Sequence, residues 1–325
     1  MLIHRRLALS LLTALPLSFA LPAAHAQAYP SKPVRVIVPF APGGPADVLA
    51  RVSGQELSDA LGQPFVVENK VGAAGNIGVD QIAKATPDGY TVGIVPVGNV
   101  AVNPSLFAAL PYKASELAPV AMLATVENVL VVNADVPAKS LKEVLALAKQ
   151  KPGTLSYASP GAGSQAHLAG ELMALEANLQ MIHVPYKGIG PALNDVVGGQ
   201  VSMMFGAMSA VLPHVKSGKL RAIGVASLKR SATMPELPTI AEQGLPNFEA
   251  VSWYALMAPA GTPPAVVDRL NAEVARSLAK PAIREKFEAQ GLEPGGGKPQ
   301  ALAESIRIET ARWGDVIRKQ NIKPD

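Results

Sequence analysis

The run Val34-Arg35-Val36-Ile37-Val38 is short and β-branched, and it stops at Pro39-Phe40-Ala41-Pro42-Gly43-Gly44-Pro45. That pattern predicts a strand followed by a loop. Over 46–61 the apolar positions Val48, Leu49, Val52, Leu57 and Leu61 recur at helical spacing, and Gly62 supplies a stop. A second strand is expected at Phe65-Val66-Val67, then a glycine-rich loop over 72–78, a helix over 77–85 and a third strand over 91–95. The alternation resumes from Val129 to Ala226. Ser140 and Glu143 have capping-box spacing, Leu141, Val144, Leu145 and Ala148 form an apolar stripe, and Lys151-Pro152-Gly153 ends that helix. Strands are expected at 155–158, 181–184, 201–205 and 221–226, with helices at 164–177, 189–197 and 209–216. Beyond Pro259 the chain turns helical. Thr262 and Pro263 open one helix, with Val266, Val267, Leu270, Val274 and Leu278 as its stripe, and a second over 299–320 carries Leu302, Ile306, Trp313 and Ile317. Strands alternating with helices predict an α/β fold whose sheets are mostly parallel and covered on both faces.

The first 26 residues stand outside this pattern. His4-Arg5-Arg6, the apolar run from Leu7 to Leu21 and Ala24-His25-Ala26 are the three parts of an export signal, so the mature chain is expected to begin near Gln27. Pro16 breaks the apolar run, which is shorter than the roughly 20 residues of a membrane span, and this favours a cleaved signal over an anchor. Removing 26 of 325 residues leaves 299, enough for two domains. Without Arg5 and Arg6 the formal charge falls from +4 to +2, and no basic stripe or tail points to nucleic acid. There are no cysteines, and the five histidines show no HxxH or HExxH spacing, so neither a disulfide framework nor a metal site or other cofactor is expected. No linker separates the two halves. A clam-like pair of lobes fits, with small ligands bound in the cleft at strand C-terminal ends.

Four loops could carry chemistry. Pro42-Gly43-Gly44-Pro45-Ala46-Asp47 places glycine amides at a helix N-terminus, where an anion is favoured, although Asp47 would compete for the same donors or simply cap the helix. Gly72-Ala73-Ala74-Gly75-Asn76-Ile77-Gly78 lacks the lysine of a P-loop. Gly161-Ala162-Gly163-Ser164-Gln165-Ala166 matches GxGxxA, yet Met181-Ile182-His183 stands where a dinucleotide fold needs an acid. Ser164 is outside any GxSxG frame and lies three residues before His167, which suits a cap better than a nucleophile. For that loop an anion cradle and a plain helix start both stay open. His183-Val184-Pro185-Tyr186-Lys187-Gly188 offers an aromatic wall, a hydroxyl and a cation to a carboxylate. No pair of carboxylates and no serine triad emerges. Such loops bind anions better than they transform them.

The loops occur in a familiar order. "YPSKPVRVIVPFAPGGPADVLAR" from Tyr29, "GAAGNIG" from Gly72, "NPSLFAALPY" from Asn103, "YASPGAGSQAHLAGE" from Tyr157, "VPYKGIGPALNDVVGGQV" from Val184, "SGKLRAIGVAS" from Ser217, "MPELPTIAEQGLP" from Met234 and "SWYALMAPAGTP" from Ser252 span nearly the whole mature chain. In these the sequence resembles the periplasmic substrate-binding receptors of tripartite tricarboxylate transporters, the Bug receptors. The resemblance implies a two-lobed periplasmic binding protein fold of type II, with lobe 1 from 27–125 and 227–325 and lobe 2 from 126–226. It also implies a periplasmic monomer that binds a small organic acid in the cleft and delivers it to membrane subunits, without catalysis. The ligand-contacting positions it implies are Pro42, Gly43, Gly44 and Asp47 from one lobe and Ser159, Gly161, Gly163 and Ser164 from the other. Tyr186 and Lys187 sit in the matching strand-end motif. The chain departs from the family at two places. Pro96-Val97-Gly98-Asn99 replaces hydroxyl groups after the third strand, leaving Gly98 and Asn99 as candidates. An aspartate often follows the phenylalanine of the last lobe 2 motif, but here Phe205 is followed by Gly206 and Ala207, which argues against an amino acid ligand. The rivals are an exported serine hydrolase using Ser164 and His167, and a ligand sensor for a membrane signalling protein.

Overall fold

A computed structural model describes residues 29–186 and 188–324. The export-signal segment and Lys187 lie outside the described residues. In chain order the strands are β1 (Val34–Val38), β2 (Phe65–Asn69), β3 (Thr91–Pro96), β4 (Leu117–Val126), β5 (Asn128–Asn133), β6 (Ser156–Ser159), β7 (Ile182–Pro185), β8 (Met203–Ala207), β9 (Leu220–Val225), β10 (Ser252–Pro259) and β11 (Glu293–Gly296). They form a six-stranded sheet in the order β11-β4-β10-β3-β1-β2 and a five-stranded sheet in the order β7-β6-β8-β5-β9. This is the two-lobed α/β architecture expected.

The sheets are more mixed than the alternation predicts. β1 pairs parallel with β2 and β3, and β6 pairs parallel with β7 and β8, as βαβ units require. β10 runs antiparallel to β3 and β4, and β5 antiparallel to β8 and β9. The cause is the crossing between sheets. Val126 pairs with Ser252, and Asn128 with Ala207, so β5 and β10 both begin where β3, β4, β8 and β9 end. A strand that has just arrived from the other sheet must run away from the junction, against its neighbours.

Alternation along each strand distributes side chains between separate cores. Val34, Val36 and Val38 of β1 join Leu49, Leu57, Leu270 and Val274 on one face of the larger sheet, while Ile37 faces a different cluster. In β5, Val129 and Val131 enter a core of the smaller sheet, and Leu130 and Val132 turn to that second cluster with Ile37. Successive side chains of a strand point to opposite faces, so both faces of each sheet are covered. The cluster holding Ile37, Leu130, Phe205 and Phe248 therefore draws on both sheets. Trp313, fully buried on the helix Pro299–Lys319, belongs to it, and this helix packs on both the turn at 98–102 and the helix Gln165–Ala177. The C-terminal helix thus ties the lobes together.

Helix boundaries follow local chemistry. Pro45–Leu61 has Pro45 at its first position and ends at Gly62 in the left-handed region, whose N–H donates to Ser58 O at 2.9 Å. Leu141–Gln150 is capped by Ser140 Oγ, which accepts the Glu143 N–H at 3.3 Å. β4, β10, β11 and the helix Pro281–Glu288 were not predicted, nor was the π-helical turn Gly98–Val102 that leads into the helix Asn103–Leu106. Trp313→Ala should empty a large space between the lobes and lower stability by about 3–5 kcal/mol, read from urea unfolding followed by circular dichroism.

Candidate functional site

Two β-loop-α units, β1 with Pro45–Leu61 and β6 with Gln165–Ala177, bring their helix N-termini to one cavity of about 580 Å³. Gly44, Pro45 and Ala46 line it from one side, and Pro160 to Gln165 from the other. Phe40, Leu106, Phe107 and Trp253 contribute apolar surface, with Asn99, Asn103, Ser252 and Tyr254 as polar lining. Among the described residues no Lys, Arg, His, Asp or Glu lines it. Burial pushes the Tyr254 hydroxyl up to about 12, so it stays a neutral donor. The lobes approach closely at the rim. Gly163 has a positive φ of 74°, and a Cβ there would lie 2.2 Å from Leu106 Cδ2.

The two helix starts share one construction. Gly44 and Ser164 are the N-caps. The N–H of the residue before each cap donates to the side chain at the third helical position: Gly43 N–H to Asp47 Oδ2 at 3.0 Å, and Gly163 N–H to His167 Nδ1 at 3.0 Å. This is the reach-back of a capping box, moved out by one residue. Ser164 Oγ accepts the His167 N–H at 3.3 Å, as a cap should. The first N–H groups of a helix have no acceptor within it. That leaves the Ala46 N–H in one helix and the Gln165 and Ala166 N–H groups in the other, and of these residues Ala46 and Gln165 line the cavity. Those two helical amides are placed to meet an anion entering the cavity. The glycine amides expected for that role are turned inward at Gly43 and Gly163, and Gly161 N–H donates to Ser159 Oγ at 3.2 Å.

Asp47 is a fastener rather than part of the cavity. It is buried, it accepts from Arg51 Nε at 2.9 Å, and its Oδ1 takes the Asn69 side-chain N–H at 3.0 Å. Arg51 first, then the Gly43 and Asn69 donors, hold its carboxyl down at about 2 against the opposing effect of burial. Pro42 and Gly43 are exposed and outside the lining. Gly98 and Asn99 do line it. Asn99 is fixed from beneath, because Asn76 Oδ1 accepts from Asn99 Nδ2 at 2.9 Å, Asn103 Nδ2 at 2.7 Å and Tyr112 OH at 2.9 Å.

In the smaller sheet Gly161, Gly163 and Ser164 line the cavity, while Ser159 is fully buried behind it. Tyr186 is not a wall of the cavity. Its hydroxyl donates to Asp195 Oδ2 at 2.5 Å, a local tie to the helix Ile189–Val197. Gly206 is buried against Val211 and Ala207 is half-buried, and neither lines the cavity. The hydrolase pair does not form, since His167 Nδ1 takes the Gly163 N–H and Nε2 lies 3.8 Å from Glu171 Oε1. Sequence reasoning missed Phe40, Leu106, Phe107, Gln165, Ser252, Trp253 and Tyr254. All seven stand inside the segments that carry the family resemblance, so a signal existed, but the apolar ones read equally as core and Gln165 and Ser252 read equally as surface.

A two-lobed α/β fold with an interlobe cavity at opposed helix N-termini defines a solute-binding receptor. The chain belongs to the tripartite tricarboxylate transporter family receptors, whose family model matches residues 49–322. It is 43% identical over 300 residues to Protein BugT of Bordetella pertussis, covering 92% of each chain. Among solved structures it is similar to R. palustris Rpa4515 with adipate, at 36% identity and a TM-score of 0.77, covering 91% of this chain and 100% of that one. It is also similar to MatC (Rpa3494) from Rhodopseudomonas palustris with bound malate, at 34% identity and a TM-score of 0.73, covering 89% and 100%.

The Asp47 carboxyl lies below its unfolded value, so its contribution is present in full above about pH 4 and is lost as pH falls through about 2. Asp47→Asn should cost about 1–3 kcal/mol at pH 7, the worth of charged hydrogen bonds. Urea midpoints compared at pH 7, 4 and 3 should show the two proteins converging as acid protonates the carboxyl first in the unfolded chain.

Proposed function

We propose that this receptor captures a small, unaminated organic carboxylate in the interlobe cavity and delivers it to the membrane subunits of a tripartite tricarboxylate-type transporter. The observation that carries the reading is the pair of helix N-termini at one cavity whose lining, among the described residues, has no charged side chain. An anion there is stabilised by unsatisfied N–H groups and by the positive ends of two helix dipoles. One carboxylate rests at Ala46 and Gly44, and a second at Gln165 and Ser164. Phe40, Leu106, Phe107 and Trp253 hold the body between them. Two helix ends match two carboxylates better than three, and the adipate and malate bound to relatives fit that count. Asn99, Asn103 and the Tyr254 hydroxyl remain for a further polar group of the ligand.

One chain supplies both walls of the cavity, which supports a monomer as the working unit. The leader is cleaved at Ala26, and the mature receptor works in the periplasm from Gln27. Thermal shift of the purified protein should show stabilisation by adipate and malate and a smaller effect from citrate, benzoate and glutamate. A ligand at a hundred times its Kd adds about 2.7 kcal/mol to the native state. Stabilisation by a sugar or an amine, with none from any carboxylate, would overturn the ligand class.

A further inference from the structure

Behind the Pro160 to Ser164 loop lies a partly buried polar cluster that does not line the cavity. His167 and Glu171 come from the helix Gln165–Ala177, Tyr157 and Ser159 from β6, and His183 from β7. The His167 and His183 rings stack with centroids 3.7 Å apart and planes 6° from parallel, and Tyr157 stacks on His183 at 5.0 Å. His183 Nε2 lies 2.7 Å from Ser159 Oγ. Ser159 Oγ in turn accepts the Gly161 N–H at 3.2 Å and donates to Gly161 O at 3.0 Å. Each glycine of the loop is therefore held by one imidazole, Gly161 through Ser159 and Gly163 directly.

The bond from Gly163 fixes a protonation state. An N–H donates only to a ring nitrogen that carries no proton, so Nδ1 of His167 is bare and the neutral ring bears its proton on Nε2, facing Glu171 Oε1 at 3.8 Å. A proton arriving at Nδ1 would set N–H against N–H and leave the Gly163 amide without its acceptor. The loop could then keep its shape only by finding another partner for that amide. Gly163, packed against Leu106 across the cleft, has little room to move without disturbing the Ser164 cap beside it.

We infer that His167 is a positioning residue for ligand capture, whose unprotonated Nδ1 holds the lobe 2 loop in its binding shape and whose protonation releases it. The inference rests on the reading of the cavity as the carboxylate site. Histidine is the side chain whose ordinary titration falls between pH 5 and 8, so the loop's shape is linked to proton concentration there. Among the described residues the titratable groups facing His167 are Glu171 from its own helix, Tyr157 from β6 and His183 from β7. Tyr157 OH donates to Glu171 Oε1, and burial pushes both of those groups up. An ionised Glu171 favours the imidazolium, while a charge on stacked His183 opposes it.

The test measures adipate binding by calorimetry from pH 8 to pH 5.5 for the native protein and for His167→Asn. The asparagine offers an oxygen where Nδ1 stood and cannot be protonated. Adipate itself takes up a proton at the acid end, so the readout is the difference between the two profiles. In the ligand-free native protein, NMR follows the Gly163 amide and the His167 ring nitrogens over the same range. The native Kd should rise roughly tenfold more than the variant's, the worth of one net hydrogen bond, and the Gly163 amide should shift with the His167 midpoint. Parallel binding profiles, or a Gly163 amide that stays still while His167 titrates, overturn the inference. If adipate binds neither protein at any pH, the ligand reading fails, and the Gly163 amide still decides the role of His167. That same measurement decides it if the variant does not fold.

Discussion

A carboxylate leaving water for a cavity that, among the described residues, has no cationic side chain in its lining must be met by oriented backbone N–H groups, or its desolvation goes uncompensated. The layout of this receptor suits that constraint. Each lobe supplies one β-loop-α unit, and in such a unit the helix N-terminus stands at the C-terminal end of the strand. The orphan amides at Ala46 and Gln165 keep their places only if the preceding loop has a single shape. That is the work of Asp47 and His167, which occupy the same helical position in the two lobes and draw the amides of Gly43 and Gly163 inward at 3.0 Å each. The acid and the imidazole differ in one respect that matters. Asp47 is held ionised down to about pH 2, whereas His167 belongs to a residue type that titrates near neutrality.

The framework around the site keeps the two helix starts opposed. β5 and β10 begin at the junction where β4, β8 and β9 end, so chain crossings and cleft share one edge of each sheet. The helix Pro299–Lys319, with Trp313 fully buried, adds a connection through side-chain packing to the helix that Ser164 caps. Arg312 on the same helix reaches Glu249 and Glu309, and burial pushes the Glu309 carboxyl up. Relative motion of the lobes would have to work against this contact as well as against the crossing strands.

Periodicity exposed the elements that have a clear face or clear punctuation. Pro45–Leu61 lies between a proline and a left-handed glycine, and Leu141–Gln150 has its serine cap, so both were legible to within a residue or so. β4 and β10 were not, because a strand buried on both faces between others carries no alternation, and Leu117–Val126 reads as an unpatterned apolar run. The antiparallel pairs escaped for the same reason. Loop glycines Gly44, Gly98, Gly161 and Gly163 do line the cavity, yet sequence alone could not say which way an amide points. Asp47, implied by the family resemblance, and Tyr186, by its hydroxyl and ring, do not line the cavity; they bond instead to Arg51 and Asp195. Ser164 caps its helix, as its spacing suggests, and His167 holds the loop through the Gly163 N–H.

The central claim is that two helix N-termini hold the two ends of one ligand. Calorimetric affinities for adipate, hexanoate and hexane-1,6-diol at pH 7.5 test it most directly, because the three share a chain and differ in the number of carboxylates. The account predicts that affinity falls at each step as one and then both carboxylates are removed. Hexanoate or the diol binding as tightly as adipate would contradict it.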